Sequence, residues 1–141
     1  MGYPQTEIIV LPGSRVTATV AYVTRATDAV GAYGERVAVR TLEAAGMRVI
    51  DRNWRCRRGE LDIVALDGRT IVFCEVKTRR SATFGAPAEA VGPAKVRRLR
   101  ALATAWLAEH PDVRGEIRFD VVCVRPQATG AASVEHLRGV C

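Results

Sequence analysis

Residues 59–78 read Gly59-Glu60-Leu61-Asp62-Ile63-Val64-Ala65-Leu66, then Asp67-Gly68, then Arg69-Thr70-Ile71-Val72-Phe73-Cys74-Glu75-Val76-Lys77-Thr78. Apolar, β-branched and aromatic residues dominate both arms, and the Asp-Gly pair between them is a strong short-range hairpin signal. Two antiparallel strands with a tight turn are expected. With Asp67-Gly68 as the turn, Leu66 faces Arg69, Asp62 faces Phe73 and Glu60 faces Glu75. Opposed residues share a face of the sheet, so Asp62 lies on the side of Glu75 and Lys77, a diagonal neighbour of Glu75 at about 7–8 Å between backbone positions. A turn longer by one residue would carry Asp62 to the other face.

Two carboxylates at 4 Å repel by roughly 4 kcal/mol at an effective dielectric near 20, so a cation or a shared proton belongs between them. Oxygen ligands from Asp62 and Glu75, a nearby backbone carbonyl and several waters suit Mg²⁺, which takes few protein ligands and keeps its water shell. Lys77 points the same way, where its ammonium can orient a water or meet charge developing on a phosphate. The competing reading is a solvated strand face on which Glu75 and Lys77 are neighbours and Asp62 pairs with an arginine. Three features favour the site. The acids interrupt the apolar runs Ile63-Val64 and Ile71-Val72-Phe73; Lys77 and Lys95 are the only lysines among 21 cationic residues; and an upstream helix supplies another acid, Glu35.

Working outward, Val30, Tyr33, Val37, Ala38, Leu42 and Ala45 recur at helical spacing, which predicts a helix over 28–45 with Thr27 or Asp28 as its cap and Gly46 closing its end. Residues 47–54 read as a strand and 55–58 as a basic turn before the hairpin. After a Gly/Pro-bearing loop over 81–93, Val96, Leu99, Leu102, Ala103 and Trp106 predict a helix over 94–109, and residues 116–124 alternate as a further strand. A last short strand fits 134–137. The core order is helix, three strands, helix, strand. Residues 1–27 read as an appendage, either disordered or a short hairpin of 6–11 and the alternating Val16, Ala18, Val20 and Tyr22 around Pro12-Gly13, ahead of one domain over 28–141. A start site placed upstream of the true one is an equally admissible origin for it.

The chain has 141 residues, 48% hydrophobic and 26% charged, the balance of an ordinary globular protein with one core. Its longest apolar run, Ile8-Ile9-Val10-Leu11, is far short of the ~20 residues that span a bilayer, and no secretory signal is visible, so a cytoplasmic protein away from the membrane is expected. Cys56, Cys74, Cys123 and Cys141 form no C-x-x-C pair, and His110 and His136 lie far from them, so zinc spacing is absent and reduced thiols are expected. The net charge of +6 lies wholly beyond residue 34, because Arg15 and Arg25 balance Glu7 and Asp28. Such a basic surface suits a polyanionic partner.

Gly34-Glu35, Arg52-Asn53, the runs 59–65 and 72–79, Phe84-Gly85, Lys95 and Arg118-Phe119-Asp120-Val121-Val122 together resemble the YraN family of bacterial proteins. That family is similar to archaeal-type Holliday junction resolvases in the PD-(D/E)xK nuclease superfamily. The resemblance runs from about Val30 to the C-terminus. It implies an α/β restriction-endonuclease-like core of α-β-β-β-α-β order, with a mixed sheet flanked by helices. It further implies an endonuclease that hydrolyses DNA phosphodiesters with Mg²⁺ or Mn²⁺, including branched or junction DNA in repair and recombination. By position, Asp62 and Glu75 match the metal ligands, Lys77 the catalytic lysine, Glu35 a helix acid that joins the metal shell, and Lys95 a recurrent basic position. Leu61 stands where the superfamily has proline, which removes no ligand.

Arg55, Arg57 and Arg58 before the site, Arg79 and Arg80 after it, and Lys95 and Arg98 on the second helix are the candidates to hold a nucleic-acid backbone, a contact that positions without reading sequence. Glu60 is a second-line ligand, or equally a partner of the basic turn over 55–58. Cys74, Cys123 and Trp106 read as core, and Asp120, two residues after Arg118, as structural. The main rival function is a non-catalytic DNA-binding or repair accessory that retains the nuclease fold; an interaction module in RNA or chromosome maintenance is a third. A P-loop is absent, since Val76 and Ala94 precede the two lysines. Symmetric cutting of a junction would call for a homodimer.

Overall fold

The strands at the centre of the chain carry apolar residues on both faces, so each face needs a cover, and each receives one helix. A computed structural model describes residues 17–79 and 92–141, with side chains from residue 29. Helix α1 (Thr17–Ala44) leads into β1 (Arg48–Cys56), β2 (Gly59–Asp67) and β3 (Thr70–Thr78); α2 (Pro93–Glu109) crosses over to β4 (Glu116–Arg125), and β5 (Ser133–Leu137) follows. The sheet order is β1-β2-β3-β4-β5, antiparallel except for the parallel β3–β4 pair that the α2 crossover joins. This is the expected restriction-endonuclease-like core, extended by a fifth strand.

On one face Val37, Ala38 and Leu42 of α1 pack with Ile63, Ala65, Val72, Cys74, Val122 and Val124. On the other, Leu99, Leu102, Ala103 and Trp106 of α2 meet Leu61, Val64, Ile71, Phe73 and Phe119. Trp106 is core, edge-on to Phe73 at 5.8 Å. Its indole Nε1 donates to Asp51 Oδ2 at 2.8 Å, beside the β1 bulge between Val49 and Asp51. Cys74 and Cys123 are buried, and all four cysteines are free thiols.

Three expectations need correction. The first helix starts at Thr17, so the second arm of the N-terminal hairpin is helical instead; Ala18, Ala21 and Ala26 favour helix, and extending a nucleated helix is easy. The first arm lies outside the described residues, as do residues 81–91 of the loop expected over 81–93, whose Pro93 begins α2. The hairpin turn is Gly68-Arg69, since Asp67 pairs with Thr70. Gly68 adopts φ +61 at the first central position, where a type II′ hairpin turn places glycine. Each β2 residue therefore pairs two positions further along β3 than an Asp67-Gly68 turn implies. A slip of two preserves the face. Finally, Glu60 does not oppose Glu75: it pairs with Arg55 of β1, whose Nε lies 2.8 Å from its Oε2.

Candidate metal and phosphate site at the β2–β3 fork

The β2–β3 ladder runs from Asp67↔Thr70 to Ile63↔Cys74 and goes no further, whereas β3 stays paired with β4 through Thr78. The two strands part at Asp62 and Glu75, which the same register sets opposite each other. Across the fork the Val76 N–H donates to Asp62 Oδ2 at 2.8 Å. Glu75 and Lys77 follow Phe73 on the α2 side; along β2, Leu61 and Val64 both pack on that side and Ile63 on the other, so alternation is interrupted beside Asp62 and the Val76 contact is what ties its carboxylate to β3.

Burial pushes the Asp62 carboxyl up to about 7; the Val76 N–H works against this, and the nearby charges of Glu75, Glu35 and Glu60 add to it. Glu75 behaves oppositely. Its burial would raise its proton affinity, but Lys77 and Lys95 outweigh that and hold it below the usual carboxylate range. Both ammonium groups reach one oxygen, Oε2, Lys77 Nζ at 2.8 Å and Lys95 Nζ at 2.5 Å. Lys95 comes from the first turn of α2, so it sits inside the site and not on a solvated helix face. Its own pKa is lowered, by burial first, against the pull of Glu75.

Gly34 explains how α1 reaches this end of the sheet. A Cβ on Gly34 would overlap Oγ1 of the buried Thr78, so only glycine lets the helix press on the end of β3. Glu35 follows at once. Burial raises its pKa, and a hydrogen bond with the Asn53 side chain opposes the rise. Asn53 is the one non-glycine residue with positive φ, +52, among the described residues. Asparagine tolerates that left-handed conformation because its short amide bonds locally. An Asn inside an otherwise extended run, Arg52-Asn53-Trp54, was the sequence signal for this contact.

Asp62 and Glu75 offer hard oxygen donors, with Oδ1 and Oε1 not taken up by the contacts above, which is the donor chemistry that Mg²⁺ and Mn²⁺ accept. Among the described residues no three His, Cys, Asp or Glu side chains are grouped tightly enough to cage an ion, while Glu35 is near enough for its charge to raise the Asp62 pKa. Two carboxylates and a water shell are the fit that remains, and it is one Mg²⁺ accepts.

Around the fork, Arg57 and Arg58 are exposed in the β1–β2 turn, Arg98 is exposed on α2, and Arg55 is exposed but paired with Glu60. The Arg79 guanidinium donates to the Thr78 carbonyl at 3.4 Å. Arg80 lies outside the described residues. Away from the fork, Asp120 is fully buried and accepts from Arg118 Nε at 2.9 Å and from Gly139 N at 3.0 Å, with His136 Nε2 2.8 Å away. Arg118 also reaches Asp67 at 2.9 Å. Asp120 thus ties β5 and the C-terminal segment to β4, the structural role its spacing from Arg118 suggested; His136 carried no signal in the sequence. Among the described residues no helix is long and apolar enough to cross a membrane.

The model of the uncharacterised protein family UPF0102 matches residues 34–124, a span holding Glu35, Asn53, Asp62, Glu75, Lys77 and Lys95. A UPF0102 protein of Beutenbergia cavernae is 63% identical over 116 residues, 82% of this chain and 98% of the relative. One from Kineococcus radiotolerans is 59% identical over 117 residues, with 82% and 96% covered, and one from Frankia casuarinae 55% over 115 residues, with 82% and 98% covered. On the strength of a match over most of its length and of relatives more than half identical to it, the chain belongs to the UPF0102 family, the YraN family that its motifs resemble.

Proposed function

We propose that this protein is a metal-dependent endonuclease that hydrolyses DNA phosphodiester bonds, branched DNA included, using Mg²⁺ or Mn²⁺ held by Asp62 and Glu75. The observation that carries the reading is the convergence of Asp62, Glu75 and Lys77 at the β2–β3 fork, where burial and the neighbouring acids draw the Asp62 carboxyl up to about 7. A divalent ion there supplies Lewis acidity toward water and a phosphate oxygen. Lys77 provides a fixed positive charge for the phosphate and for the oxygen that leaves it. Glu35, with its raised proton affinity, supports the site from α1 as an acceptor for a water proton. Arg57, Arg58 and Arg98 hold the nucleic-acid backbone without reading bases.

One observation favours the rival reading of a DNA-binding accessory that has kept the fold: two ammonium groups already neutralise Glu75. Labelled linear, flap and four-way DNA incubated with Mg²⁺, Mn²⁺ or EDTA distinguishes the two. Metal-dependent cutting that Asp62→Ala and Lys77→Ala both abolish supports the endonuclease. Binding without cutting on every substrate and with either metal supports the accessory.

A further inference from the structure

We propose that Lys95 is an exchangeable counter-ion: it neutralises Glu75 while the site holds no metal, and moves from Glu75 to a nucleic-acid phosphate when a divalent cation binds. This rests on the metal-dependent reading above and adds a partner-switching role that a simple phosphate contact lacks. The starting geometry is two ammonium groups on one carboxylate oxygen, Glu75 Oε2, with the Lys77 and Lys95 side chains each 20% exposed and that of Glu75 13%. Two like charges that share one acceptor repel each other, and the carboxylate charge of Glu75 is what holds both. A divalent cation at Glu75 adds two further positive charges there, and one ammonium has to withdraw.

Lys95 is the one free to leave. Lys77 has the same four-carbon stem, but its backbone is held in β3, whose pairing with β4 continues on both sides of it, at Val76↔Val122 and Thr78↔Val124. Lys95 stands on a separate element, in the first turn of α2, at the end of a flexible four-carbon stem. A cation in the first turn of a helix is also opposed by the helix dipole, and α2 has no acidic residue there and no side-chain cap to offset it. Glu75 supplies that compensation in the metal-free protein; an incoming phosphate supplies it in the complex. The exchange couples the two ligands: metal binding frees a positive charge beside the site, and removal of that charge favours metal while disfavouring DNA.

Mn²⁺ affinity measured by electron paramagnetic resonance, without DNA, tests this on the full chain. Lys95→Met is expected to bind Mn²⁺ up to about fivefold more tightly than wild type, the range for losing one partly exposed ion pair, and to bind DNA in Mg²⁺ more weakly. Arg97→Met, which removes an exposed charge two residues along the same helix, is expected to leave Mn²⁺ affinity near wild type. Equal tightening in both variants overturns the proposal, because a general loss of positive field then suffices. Binding that Asp62→Asn abolishes but Lys95→Met leaves unchanged overturns the counter-ion role alone. No saturable binding by wild type or Lys95→Met overturns both this role and the metal-dependent reading. Should Lys95→Met not fold, the wild type still decides: with two lysines in the chain, the Lys95 side-chain ammonium resonance is readily assigned, and it is expected to shift on Mg²⁺ saturation. A Lys95 resonance unmoved while the Asp62 amide saturates overturns the exchange.

Discussion

Asp62 sets the pH behaviour of the metal-free protein. Its folded pKa of about 7 lies above its ordinary value of 3.8, so the folded chain keeps a proton that the unfolded chain has released between those limits. Stability therefore falls as the pH rises through that window, by up to about 4 kcal/mol once the pH exceeds 7. Asp62→Asn, which can still accept from Val76, should stabilise the protein in EDTA at pH 8 by about 1–3 kcal/mol, with the gain shrinking toward pH 5. Urea denaturation at the two pH values checks this, and Mg²⁺ should narrow the gap by stabilising the wild type alone. Asn53 offers a second residue-level test. Asn53→Gly keeps the left-handed backbone without strain, while Asn53→Ala should be less stable than Asn53→Gly by about 1 kcal/mol. Both should raise the Glu35 pKa further, read by NMR titration of its side-chain carboxyl, because the amide that lowers it is gone.

At the level of elements, the fork depends on how closely α1 meets β3. Gly34→Ala should cost about 1–3 kcal/mol through overlap with Thr78, and Thr78→Ala should recover part of that in the double variant. Thermal unfolding of the four proteins measures the coupling. Most element types were legible in sequence because their periods were clean: Gly59 and Thr78 bound the hairpin as expected, and Gly46, at φ +92, ends α1 where a left-handed residue was expected. The register was less legible. Both Asp67-Gly68 and Gly68-Arg69 are acceptable two-residue turns, and only three-dimensional pairing chooses between them. Because the two registers differ by an even number of residues, the slip by itself moves no β2 side chain to the other face. The same slip removes Glu60 from the place opposite Glu75 and leaves its other expected partner, the basic turn, where Arg55 meets it.

On the scale of the whole molecule, the chain carries a net +6, while at the fork Glu75 is already neutralised by Lys77 and Lys95. DNA affinity should fall steeply with added salt, and Arg57→Ala or Arg58→Ala should each weaken binding alike across sequences and reduce the slope of log affinity against log salt by about 1. Fluorescence anisotropy over a salt series gives that slope. The acids that line the fork could be named from sequence because they break apolar runs. Lys95 could be named as cationic but not placed, since its contact with Glu75 depends on where the crossover sets α2 against β3, a long-range relation that local spacing does not carry.

Paramagnetic broadening of backbone amide signals by substoichiometric Mn²⁺ tests most directly whether the fork holds a divalent ion. The amides of Asp62, Glu75 and Val76 should broaden first, and should sharpen again when excess Mg²⁺ is added. Broadening that spares these three, or that persists undiminished in Asp62→Asn, would contradict a metal site between β2 and β3 and the nuclease chemistry built on it.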